Sequence, residues 1–173
     1  MNDSAFYQKL KSALPTSTDA DRKRWAAAIV AEKADLKRLS KLLFESKPVS
    51  VRFSWLLSDV GSADRETLYA ELPFLFGLCP QVTSMDFKLR FATYWSLVGV
   101  PPEQEAEAVE LLFDWVRSAA VDITTKWRAI KALLELAEKF PELQNELRLS
   151  LESIADAHTD DFGRKVRGVL LKL

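Results

Sequence analysis

Apolar residues recur at spacings of three and four along most of the chain, as in Ile123, Trp127, Ile130, Leu134 and Ala137. That period marks one face of a helix, and no stretch alternates convincingly as a strand. Read in order, the pattern predicts a short helix over residues 3–14, with Phe6, Tyr7, Leu10 and Leu14 on one face and Pro15 stopping it. A second runs from Asp19 through Trp25, Ile29 and Val30 to about Lys33, with Asp19 and Asp21 in a first turn where the helix dipole favours acids. Leu36, Leu39, Leu42 and Leu43 form the face of a third, to about Glu45. Residues 46–60 follow, with Gly61 suited to a left-handed C-cap. The next helix, 64–78, should kink or split at Pro73. Residues 84–98 are closed by Gly99, and Pro101 and Pro102 open a helix that carries Leu111, Leu112, Phe113 and Trp115. The last three are expected at 122–140, 141–155 and about 161–171.

Three of these segments repeat at a separation of 38 residues: SKPVSVRFSWLLSDVG from Ser46, SMDFKLRFATYWSLVG from Ser84, and DITTKWRAIKALLELA from Asp122. Each opens on a residue able to accept a bond from a free backbone N–H of the first turn. Each carries an arginine six positions later: Arg52, Arg90 and Arg128. Equivalent positions agree in character, as in Val51, Leu89 and Trp127, in Leu57, Trp95 and Leu133, and in Val60, Val98 and Leu136. In the following helices Leu75, Phe113 and Leu151 match, then Leu78, Val116 and Ile154. A fourth copy, from about Asp161 to Arg167, runs one residue out of phase. Two helices per unit at this period predict a stacked helical solenoid, because one such pair cannot bury its apolar face alone.

A capping residue followed six positions later by Arg, between paired helices, resembles HEAT and armadillo-like repeats. The resemblance is carried by Asp122 to Arg128 and Asp161 to Arg167, with Ser84 to Arg90 and Ser46 to Arg52 as serine variants, and it covers residues 46–173. It implies an all-α, right-handed solenoid of about ten helices in four to five antiparallel pairs. The whole chain, 1–173, would be one HEAT-like domain, with 1–45 as irregular N-terminal helices before repeats of about 38 residues. The RFSWLLSDVG, AEKFPELQNELR and RKVRGVLLKL stretches also resemble a group of small bacterial HEAT-like proteins. Adenylosuccinate lyase activity, attached to some of that group, is not expected. The lyase loop Gly-Ser-Ser-x-Met-Pro is absent, since Gly61-Ser62 continues as Ala63-Asp64, and the chain is too short for the lyase fold.

Charge adds an asymmetry. The net charge is −1, but residues 1–52 hold eleven Lys or Arg against six acids, and the remainder thirteen against nineteen. The single Cys79 excludes an internal disulfide. The opening MNDSAFYQKL lacks the apolar core of a signal peptide, and the longest apolar run, Leu72 to Cys79, is too short to span a bilayer. A soluble, cytoplasmic protein is expected, with no membrane partner. No cofactor is expected either. The five glycines are isolated and form no phosphate loop, and His158 is the only histidine, so no Cys or His metal site can be assembled. Glu103, Glu105, Glu107 and Glu110 read as a solvated helix face. No nucleophile or carboxylate frame names a catalytic residue, so a non-enzymatic protein is expected.

A polar stripe beside the repeated arginines supplies the candidate binding residues. Its members are Arg52, Trp55 and Asp59 on the first copy, Arg90 and Thr93 on the second, and Arg128, Lys131 and Glu135 on the third. Two readings of the arginines stand: a row of cations for a partner, or an internal ladder in which each bonds a neighbouring repeat. Trp55 is an aromatic on an otherwise polar stripe, so it is a candidate anchor, or else it packs under the irregular first repeat. Trp25, Trp95, Trp115 and Trp127 fall on apolar faces and are expected in the core, with Phe91, Phe113 and Leu133. The expected function is a protein-interaction or scaffold module with a protein or peptide partner on a concave surface. The alternative is a HEAT-like nucleic-acid-binding or repair protein, favoured by the basic stretch from Arg22 to Arg52 and opposed by the net charge.

Overall fold

A computed structural model describes residues 3–173; residues 1 and 2 of the expected single domain lie outside the described residues. Its regular structure is all helical, with no strand among the described residues. The helices are α1 (Asp3–Ala13), α2 (Asp19–Ala31), α3 (Leu36–Leu39), α4 (Lys47–Ala63), α5 (Arg65–Tyr69), α6 (Leu72–Gly77), α7 (Arg90–Val98), α8 (Glu105–Arg117), α9 (Ile123–Lys139), α10 (Leu143–Ala157) and α11 (Asp161–Leu170). The chain forms two compact units, Met1–Pro101 and Pro102–Leu173.

In the first unit α4 is the central element, packing on α2, α5 and α7. Its buried face is Val49, Phe53, Leu56, Leu57 and Val60. Gly61 is not a C-cap. It lies inside α4, where an added Cβ would stand 2.6 Å from Leu68 Cδ2 and 3.1 Å from Val98 Cγ1. The absence of a side chain therefore lets α4 approach α5 and α7 closely. An aromatic cluster fills the neighbouring space: Phe91 lies 4.9 Å from Phe76, 5.2 Å from Tyr94 and 5.3 Å from Trp95, ring centre to ring centre. Edge-on packing of this kind adds to simple area burial.

In the second unit α8 packs on α9, α10 on α11, and α10 also touches α8 and α9. Leu112, Phe113, Val116, Ile130, Leu133, Leu147, Leu151 and Val166 form its core.

The element starts follow from their caps. Thr18 and Asp21 form a reciprocal capping box on α2. Asp35, Asp64, Asp122 and Asp160 accept backbone N–H bonds at the starts of α3, α5, α9 and α11. Ser46 occupies the N-cap of α4 without a side-chain bond. Ser84 departs from expectation: α7 begins at Arg90, and it is Asp86 Oδ1 that accepts from the Leu89 N–H, at 3.4 Å. The Ser84 hydroxyl is instead 2.7 Å from that of Ser50 on α4. Pro15 does not end in open coil but sits in a 3-10 turn, Leu14–Thr16. Pro73 does split its helix, standing at the second position of α6, where its missing N–H costs nothing. Gly99 closes α7 at φ 87°, a backbone region that suits glycine.

Of the residues expected in the core, Phe91, Trp95, Leu133 and Phe113 are buried, as is Trp115. Trp127 is a correction: it is half-buried, with the Lys165 ammonium 6.0 Å above its ring. Trp25 is half-buried too. Both lie on apolar helical faces, but an apolar stripe is often wider than the packed seam beneath it.

Candidate binding surface

The stripe residues of α4 stand one helical turn apart, so Arg52, Trp55 and Asp59 share a face. That face meets α2, and the meeting is polar. Trp55 is half-buried, with the Arg52 guanidinium 4.9 Å and the Arg22 guanidinium 5.3 Å from its ring centre. Both distances are within range of a cation–π attraction. Arg22 Nε donates to Asp59 Oδ2 at 3.1 Å, and its Nη2 donates to Asp19 Oδ1 at 3.1 Å. The Arg22 and Asp59 side chains are only 11% and 16% exposed. Burial pushes the Asp59 carboxyl above its ordinary range, and the bond from Arg22 pulls the other way. Arg52 Nη1 donates to the Ser17 carbonyl at 2.6 Å, in the turn that leads into α2. Trp55 thus has two guanidiniums against its ring, each hydrogen-bonded to acceptors of its own.

Arg22 was not among the residues singled out on the repeat stripe. It comes from outside the repeats, 37 positions before Asp59, and the one trace of it in the sequence is the basic stretch that it begins.

Arg90 and Thr93 lie on α7, both half-buried. The Arg90 Nε is enclosed and has no hydrogen-bond partner, while the same side chain exerts a field on the Tyr94 hydroxyl. Tyr94 is fully buried, and its hydroxyl donates to the Ser54 carbonyl on α4 at 2.8 Å. Burial pushes that phenol well up. Arg90 therefore stands at an α4–α7 contact, next to the residue that precedes Trp55. Arg128, Lys131 and Glu135 lie on α9 in the second unit, with Arg128 half-exposed and the other two exposed.

The arginine of the out-of-phase fourth copy behaves like Arg52. Arg167 Nη1 donates to the Ala155 carbonyl at 2.6 Å and to the His158 carbonyl at 3.3 Å. Both therefore satisfy backbone oxygens at a turn beside their own helix.

Among the described residues no group of three His, Cys, Asp or Glu side chains is placed to hold a metal ion, and no helix is long and apolar enough to cross a membrane. No family model, curated protein or solved structure matches the chain.

Proposed function

We propose that this chain is a HEAT-like solenoid that works as a non-enzymatic protein-interaction module, with the face of α4 around Trp55 as its recognition surface. The solenoid rests on the 38-residue spacing of caps, arginines and core positions in the sequence. The observation that carries the binding role is Trp55 itself: a half-buried indole on a polar face, with the Arg22 and Arg52 guanidiniums against its ring. A pre-ordered aromatic flanked by arginine suits a hot spot, because little side-chain entropy remains to be lost on binding. Asp19 and Asp59 set the partner class. Both are paired with Arg22, and a phosphate backbone would meet their negative charge. A protein or peptide surface of mixed charge fits better. Arg128, Lys131 and Glu135 are the equivalent stripe of the third repeat and share its mixed charge.

The test is affinity capture from nuclease-treated lysate with wild-type protein and with Trp55→Ala. A nuclease-resistant protein partner captured by the wild type, and lost from Trp55→Ala, is the expected outcome. Truncation of such an anchor is worth about 2 kcal/mol of binding. Partners that vanish with nuclease, or that Trp55→Ala retains, would reject the reading.

A further inference from the structure

A pocket of about 360 Å³ opens wholly within the second unit, between the end of α8, the first turn of α9 and the C-terminal half of α10. Its polar lining is Arg117, Lys126, Ser150, Ser153 and His158, and no carboxylate lines it. Lys126 is the unusual member. The residue is only 9% exposed, and among the described residues no hydrogen bond or ion pair engages its ammonium. Lysine is rarely buried without a partner, because desolvating the charge is costly. Lys126 also stands in the first turn of α9, the end of a helix at which a cation is disfavoured. An anion entering the pocket would meet this ammonium with no lining carboxylate to compete for it.

The rest of the lining is arranged to receive one. Arg117 Nη2 donates to Ser150 Oγ at 3.2 Å, so that hydroxyl accepts from the arginine and keeps its own proton to give. Two carboxylates stand near the rim cations without lining the cavity: Glu146 Oε1 accepts from Arg117 Nη2 at 2.6 Å, and Asp160 Oδ2 lies 3.7 Å from His158 Nδ1. Neither reaches Lys126, so the ammonium is the uncompensated charge of the site.

We infer that this pocket is a binding site for a phosphate group, free or carried by a small organic ester. Donors converging from three helices match a tetrahedral oxyanion, with acceptor oxygens in several directions, better than a planar carboxylate. The volume exceeds that of the anion alone, and Val116, Leu149 and Ile154 offer apolar walls to the remainder of an ester.

Calorimetric titration of the full chain with inorganic phosphate, glycerol 3-phosphate and succinate tests this. Saturable binding of at least one phosphate probe is expected, weakened about tenfold or more in Lys126→Gln. Because Lys126→Gln removes an unpaired charge, it should melt no lower than the parent without ligand. Glycerol 3-phosphate binding more tightly than inorganic phosphate would assign the ester; equal binding would assign the free ion. Ser153→Ala, at an exposed hydroxyl, should weaken the same probe and serves if Lys126→Gln folds poorly. No saturable heat with either phosphate at millimolar concentration, equal binding by wild type and both variants, or succinate binding as tightly as the phosphates would overturn the inference.

Discussion

Trp95 has no exposed surface and packs against Phe76 and Phe91. Trp95→Ala is therefore expected to cost about 3–5 kcal/mol, read by urea denaturation, whereas the half-buried Trp127→Ala should cost clearly less. Equal losses would contradict the burial of these two residues. The sequence placed both on apolar faces, and it could not separate them: periodicity reports which side a residue occupies, not whether a neighbouring helix covers it. At Trp55 the limit was of another kind. The stripe Arg52, Trp55 and Asp59 was legible from its spacing, but Arg22 was not, because its role arises from a long-range pairing with Asp59. Titration offers a second residue-scale test. The bonds from Thr18 and Arg24 hold Asp21 at about 2, down from 3.8, and the N–H and hydroxyl bonds from Thr67 and Thr125 lower Asp64 and Asp122. A carboxyl lowered by folding stabilises above its unfolded value and loses that contribution as pH falls through its folded value. Stability should thus hold above about pH 4 and fall towards pH 2, and a combined Asp64→Asn, Asp122→Asn variant should show a shallower fall. Parallel acid profiles would contradict the capping roles.

At the scale of elements, caps, prolines and glycines explain most helix boundaries, and where a boundary moved the cause is local. Ser84 does not cap α7, which starts at Arg90 with no side-chain cap; its hydroxyl meets Ser50, and Asp86 accepts from the Leu89 N–H just before the helix. Gly61 reads as a helix end in sequence, since glycine is common there. Only the close approach of Leu68 and Val98 reveals that it is a contact residue. Gly163 gives the sharpest element-scale prediction. A Cβ there would lie 1.8 Å from the His158 carbonyl oxygen. Gly163→Ala must open the α10–α11 turn, at a cost of about 1–3 kcal/mol, and Gly168→Ala, where nothing stands within 4 Å, should be neutral or slightly stabilising. A thermal melt of the pair checks it; similar melting temperatures would mean that the turn is not constrained at Gly163.

For the whole molecule, the all-helical class followed from the three-and-four spacing, and the helix order matched closely. The division after Pro101 did not: a repeat of constant period carries no mark of where the packing breaks into units. The −1 net charge was equally uninformative, since the charges that matter at Trp55 are local: Arg22 paired with Asp19 and Asp59, and Arg52 bonded to the Ser17 carbonyl. The central claim is that this arginine-flanked indole recognises another protein. It is tested most directly by a photo-reactive amino acid placed at Ser62, an exposed position two helical turns from Trp55 on α4, in the otherwise intact chain and irradiated in cells. The prediction is a discrete cross-linked protein product that survives nuclease treatment and disappears when Trp55→Ala is added to the same chain. Cross-links that consist only of nucleic acid, or a protein product unchanged by Trp55→Ala, would contradict it.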